Sequence, residues 1–243
     1  EASNDPTLMG MFIGQNSKTL KVITCGFVSS THNPLRTAEA ISTMDNMLSG
    51  RFAVGLVRGY QSRWVENLKV KNEIMPVGPW NKNSEADATN RRYFGEYVDL
   101  VVKALTQDTF SHKGEFWQIP PAGLTNPHPH SVYTDYGRGV TNDMSIREIG
   151  IAPRPYQSPH PQLYGGFSAS LRTAKFWAKY KGKPIVMSSD IDFLNLLWES
   201  YKQEAETVHN YTPKPGEEAA WGGLMICAKT DNEAMELAED MKW

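Results

Sequence analysis

Residues 20–60 constrain the fold more than any other stretch of the chain. Val22, Ile23, Cys25, Phe27 and Val28 make a near-continuous, β-rich apolar run, the pattern of a strand buried on both faces. Asn33 then precedes Pro34, and proline suits the first helical position. Leu35, Ala38, Ile41, Met44, Met47 and Leu48 recur at helical spacing, which leaves one face to bury. Ser49-Gly50 stops that helix, and Phe52, Ala53, Val54, Leu56 and Val57 supply a second apolar strand that ends in Arg58-Gly59-Tyr60. Strand, helix, strand in this order is a βαβ unit, and successive units imply a parallel sheet.

The rest of the chain repeats the theme. Residues 6–15 read as a helix ahead of the first strand, and residues 61–90 turn polar and irregular. Such a long excursion is often a lid or binding loop. Residues 88–105 read as a helix, 111–119 as a short hairpin, and 120–160 as ordered, proline-rich loop. Strands are expected at 161–167, 184–187 and 220–229, each followed by a helix. The alternation fits a (β/α)8 barrel or an open doubly wound sheet. No Gly-x-Gly-x-x-Gly follows a strand, which weakens the dinucleotide-binding version.

At 243 residues the chain holds one large domain with a substantial core, expected here as a single unit over 1–243 with insertions near 61–90 and 120–160. A net charge of -2 offers no electrostatic case for nucleic acid or an anionic membrane surface. No apolar run approaches the roughly 18–20 residues a membrane span needs. Cys25 and Cys227 sit in apolar strand-like runs, so both are expected as reduced core thiols of a cytoplasmic protein. There is no initiator Met, and the last residues stop inside a helix pattern without a C-cap, so an internal piece of a longer chain is expected.

Two places could carry chemistry. Arg58-Gly59-Tyr60 lies at a strand's carboxyl end, the edge that faces ligands in parallel α/β folds. Arg58 either offers its fork of donors to a phosphate or carboxylate, or pairs with a carboxylate of the protein. Gly165-Gly166-Phe167-Ser168-Ala169-Ser170 joins a strand to a helix, so it is either an anion site at a helix N-terminus or a plain serine cap. His32 follows the first strand and is a weaker candidate. His128, His130 and His160 lack metal-ligand spacing, and no metal is expected. The helical spacing of Phe176, Trp177 and Tyr180 suits core. Residue chemistry alone reaches a phosphate-bearing ligand in an α/β domain and no reaction.

The stretch FVSSTHNPLRTAEAISTMDNMLSGRFAVGLVRGY resembles the core of the bacterial-luciferase-like flavin monooxygenases. Asn33-Pro34, Arg36, Ala38-Glu39, Asp45, Ser49-Gly50-Arg51-Phe52 and Arg58-Gly59 match that family's pattern, and residues 152–164 and 167–189 match two later segments. The resemblance implies a TIM (β/α)8 barrel, incomplete here, with about five βα units present and the first and last strands missing. It implies reduced FMN at the carboxyl ends of the strands, O2 and a small organic substrate, a separate flavin reductase, and a homodimer. By position, Arg58, Gly59 and Tyr60 would hold the FMN phosphate with Phe167, Ser168, Ala169, Ser170 and Leu171. Thr24, Cys25 and Gly26 would underlie the isoalloxazine ring, and Cys25-Gly26 is the counterpart of a non-proline cis peptide in luciferase.

The departures also carry meaning. Val57 stands where luciferase has a reactive cysteine, and Phe167 where the family has an acidic residue, so aldehyde-dependent light emission is not expected. The family's acid-His-His motif has no match in this chain, and no catalytic residue is assigned. An open barrel exposes strand edges, so these residues alone are not expected to close or to hold flavin stably. The reading is an FMN-dependent monooxygenase. The alternatives are an F420-dependent hydride-transfer enzyme of the same fold and a non-catalytic flavin- or sugar-phosphate-binding barrel.

Overall fold

The computed structural model describes residues 5–78, 81–126, 139–166, 169–214, 216–223 and 226–240. The chain divides into two compact units, Glu1–Gly166 and Phe167–Trp243. The first contains α1 (Pro6–Gln15), β1 (Val22–Val28), a 3₁₀ turn (Ser29–Thr31), α2 (Pro34–Met47), β2 (Phe52–Val57), α3 (Ser62–Leu68), α4 (Glu85–Thr106), β3 (His112–Lys113), β4 (Gln118–Ile119) and β5 (Gln162–Gly165). The second contains α5 (Leu171–Ala178), β6 (Lys183–Val186), α6 (Ile191–His209), β7 (Ala220–Trp221) and α7 (Asp231–Asp240).

In the first unit β2 is the central strand. It pairs in parallel with β1, Val22 opposite Phe52, and with β5, Ala53 opposite Gln162. The α2 helix starts at Asn33, whose side chain accepts from the Leu35 N–H, with Pro34 in the first turn as the dipeptide suggests. Its buried face, Ala38, Ile41 and Met44, packs on α4, which buries Tyr97, Val98, Val101 and Leu105. Burial of each large side chain contributes about 1.5–3 kcal/mol. In the second unit β6 and β7 pair in parallel, Ile185 opposite Ala220. Neither unit closes a barrel on itself.

Several expectations need correction. β1 is not buried on both faces: Val22, Thr24 and Phe27 are buried, while Ile23 is 46% exposed and Cys25 is exposed. The reason is position. Val22 and Thr24 face α1, where a Cβ on Gly10 would come within 3.1 Å of both, and at β1 no described layer covers the opposite face. Cys25 and Cys227 are therefore exposed free thiols rather than core thiols. Residues 61–90 contain α3, and α4 begins at Glu85 because the Ser84 hydroxyl caps it by accepting from the Asp87 N–H. The strand expected over 220–229 is only two residues long among the described residues.

The loop before β5 is firmly held. Asp45 of α2 is fully buried and accepts from the Gln157 backbone N–H at 2.8 Å and from its side-chain amide at 2.6 Å. The Arg154 guanidinium donates to the carbonyls of Ala104, Leu105 and Gln107 at the end of α4. A cation there satisfies orphan carbonyls and complements the helix dipole.

Candidate functional site

The carboxyl ends of β1 and β2 are tied together by their own loops. The Ser30 hydroxyl donates to the Arg58 carbonyl at 3.3 Å, the Tyr93 hydroxyl donates to the Ser29 carbonyl at 3.2 Å, and Val70 N–H donates to the Ser30 carbonyl at 2.9 Å. Gly59 sits at φ +84°, and a Cβ there would lie 2.5 Å from Val28 Cγ1, so the chain turns here only with glycine. His32 Nδ1 lies 2.9 Å from both the Val28 carbonyl and the Thr31 hydroxyl, which commits that nitrogen to its own turn.

Arg58 is held by a residue the sequence reading passed over. Its Nη1 donates to Asp87 Oδ1 at 2.7 Å, while Arg91 Nε donates to Asp87 Oδ2 at 2.9 Å. Asp87 is 2% exposed, and the Asn83 N–H also reaches Oδ2, at 3.3 Å. Burial pushes the Asp87 carboxyl up; the Arg58 and Arg91 guanidiniums and the Asn83 N–H outweigh it and hold the group below its ordinary range. The Arg58 side chain stays 32% exposed while its Nη1 is anchored on Asp87. Of the two readings of Arg58 made from the sequence, the pairing with a carboxylate of the protein is the one seen here. The signal for Asp87 was present as Ser84-x-x-Asp87, a helix-start motif, with Arg91 four residues on.

Beside this cluster the three strands present a low floor. The β1–β2 register slips between Cys25 and Phe27, a bulge at Gly26 of the kind that re-aims side chains. The Cys25-Gly26 peptide is cis, as the resemblance suggests. Cys25 Sγ lies over β2, 2.7 Å from where a Cβ on Gly55 would stand and 3.2 Å from one on Gly166. Cys25, Gly55 and Gly166 therefore form a strip on which Cys25 and Val57, whose Cγ1 would lie 2.9 Å from a Cβ on Gly166, are the side chains within reach. Burial against that strip pushes the Cys25 thiol up from its ordinary value. Thr24 turns the other way, toward α1, and its hydroxyl is buried with no hydrogen-bond partner among the described residues.

Tyr60 is 49% exposed and its hydroxyl accepts from the Gln61 side-chain amide at 3.2 Å. In the second unit Ser170 is the cap of α5, accepting from the Thr173 N–H at 3.2 Å, and Ala169 and Leu171 are exposed. Phe167, Ser168, His128 and His130 lie outside the described residues. His160 Nδ1 is 2.8 Å from the Pro161 carbonyl, and Trp177 is core. Among the described residues no three His, Cys, Asp or Glu side chains group as a metal site.

Comparison with known proteins follows the same lines. The chain is 25% identical over 154 residues to the FMNH2-dependent dimethylsulfone monooxygenase of Pseudomonas putida, covering 63% of this chain and 31% of that protein. It superposes with a TM-score of 0.69 at 18% identity on the oxygenating constituent of 3,6-diketocamphane monooxygenase from Pseudomonas putida, solved with FMN, covering 99% of this chain and 59% of that one. It superposes with a TM-score of 0.64 at 14% identity on the coenzyme F420-dependent tetrahydromethanopterin reductase of Methanopyrus kandleri, covering 96% and 58%. The chain thus spans between about a third and three fifths of the length of these relatives. The fold is that of an incomplete luciferase-like (β/α)8 barrel: the β1–β2–β5 and β6–β7 pairings are parallel and, among the described residues, not closed, while β3 and β4 make a separate antiparallel pair. The family profile of the luciferase-like monooxygenases matches residues 1–243, and this chain belongs to that family.

Proposed function

We propose that the chain is part of a flavin-dependent monooxygenase that uses reduced FMN and O2 to oxygenate a small organic substrate. The observation that carries the reading is the pairing of a glycine-floored strip, Cys25, Gly55 and Gly166, with an arginine anchored at the carboxyl edge of the same sheet. The residues fit a flavin. A planar ring needs a surface without projecting side chains, and a terminal phosphate needs a fixed cation. Arg58 would bind the phosphate through the edge of its fork that Asp87 leaves open, with the backbone at Gly59 and Tyr60 beside it. Cys25 and Gly26 would contact the ring, with Thr24 contributing backbone only. In the second unit, residues 167–171 are proposed as cofactor-binding on the family resemblance.

Reduced FMN would supply the electrons for O2 activation, and the protein's part is to anchor the phosphate, orient the ring and keep water away. Residues 61–90 and 120–160 are proposed to cover the substrate. A single barrel domain, a separate flavin reductase, a homodimer and a cytoplasmic location complete the proposal. No helix of the described residues is long and apolar enough to cross a membrane.

Arg58→Ala in the full-length protein should weaken reduced-FMN binding by about 1.5–3 kcal/mol, the scale of a hydrogen bond to a charged group. The check is anaerobic titration, with the thermal midpoint followed alongside because Arg58 also pairs with Asp87. Unchanged affinity would remove the phosphate role. An F420-dependent hydride transfer, the second reading, would appear as oxidation of F420H2 without O2 uptake.

A further inference from the structure

We infer that Asp87 is a positioning residue for phosphate recognition: it holds Arg58 and Arg91 side by side as one anion receptor. The inference rests on the proposal that Arg58 binds the FMN phosphate. One carboxylate takes one donor from each arginine, Oδ1 from Arg58 at 2.7 Å and Oδ2 from Arg91 at 2.9 Å. Two guanidiniums this close repel each other unless a carboxylate sits between them. Asp87 is 2% exposed, and such a charge is tolerated only when paired and hydrogen-bonded, which both arginines and the Asn83 N–H supply.

The arrangement leaves a local charge of one positive unit. Both arginine side chains keep an outward part, 32% exposed for Arg58 and 25% for Arg91. Asp87 itself is fixed from below: its N–H donates to the Ser84 hydroxyl at 3.1 Å in the first turn of α4. The carboxylate therefore transmits the position of a helix start to a side chain at the end of β2, 29 residues earlier in the chain. An incoming phosphate meets donors already oriented, and the entropy of ordering Arg58 is not lost again on binding. Arg91 becomes a second, previously unassigned group at the same anion.

FMN and riboflavin share ring and ribityl chain and differ in the terminal phosphate, so their affinity ratio isolates this receptor. The experiment titrates the full-length protein anaerobically with reduced FMN and with reduced riboflavin, for wild type, Asp87→Asn and Arg91→Gln. In Asp87→Asn one carboxylate oxygen becomes an N–H donor facing a guanidinium. The FMN-over-riboflavin ratio should fall by about tenfold, with riboflavin affinity unchanged, the scale of one charged hydrogen bond. In Arg91→Gln, which keeps the Asp87–Arg58 pair and lowers the local charge to zero, the ratio should fall by a smaller factor. If Asp87→Asn does not fold, Arg91→Gln decides: an unchanged FMN-over-riboflavin ratio there overturns the paired receptor. A wild-type preference for FMN that survives in the folded variant overturns the role of Asp87 alone. A wild type with no preference overturns the phosphate reading of Arg58, and this inference with it.

Discussion

At the scale of single residues, Gly59 is the tightest point of the candidate site. Its φ of +84° and the 2.5 Å approach of a Cβ to Val28 make Gly59→Ala costly on two counts. The variant should lose more than about 1 kcal/mol of stability, read by urea unfolding of the full-length protein. Asp87 links the site to pH. Its folded pKa is depressed, so its contribution to stability is fully present above the ordinary aspartate range and is lost as pH falls through the folded value. Acid titration of wild type against Asp87→Asn should therefore show curves a constant distance apart above about pH 4 and drawing together as pH falls further below it. Equal separation at all pH values would contradict the pairing. Cys25 behaves in the opposite sense: the residue is exposed, but its sulfur rests against Gly55 and Gly166, and that partial desolvation pushes the thiol up, so iodoacetamide should label it more slowly than an unhindered thiol and faster as pH rises.

Among the elements, α2 and α4 bear most of the organisation, and the loop before β5 is secured to both. Asp45→Ala would strand the Gln157 N–H and leave the Gln157 side-chain amide only the Phe52 carbonyl, a loss of about 1–3 kcal/mol. Hydrogen exchange across residues 153–157 should rise with it, and unchanged protection would show that the Arg154 guanidinium, with the Ser42 and Asn46 side chains on the Pro153 and Arg154 carbonyls, suffices to hold the loop. The elements also mark how far sequence reasoning reaches. The β1–α2–β2 unit was legible because each signal agreed: an apolar run, Asn-Pro at the helix start, a stop at Ser49-Gly50. α3 was missed because seven residues, SRWVENL, are too few to establish a period beside polar flanks. The exposure of Ile23 and Cys25 was illegible because an apolar strand reads the same whether or not a second layer lies across it. Arg58 was found by its place at a strand end, yet Asp87 was not, since a partner 29 residues away is a tertiary fact.

At the scale of the whole molecule, the family is established over the full chain, and what the family's fold supplies is an edge at the carboxyl ends of parallel strands. Arg58 lies just past the end of β2 at that edge, and the strip of Cys25, Gly55 and Gly166 crosses the strands of the same compact unit. Departures from luciferase at Val57 and Phe167 point away from light emission and leave oxygenation of an organic substrate as the reading. The most direct test is an anaerobic titration of the full-length protein with reduced FMN, followed by admission of O2. The expected result is saturable binding that Arg58→Ala weakens, then O2 consumption by the bound flavin. Failure to bind reduced FMN, together with oxidation of F420H2 without O2 uptake, would contradict the flavin monooxygenase reading.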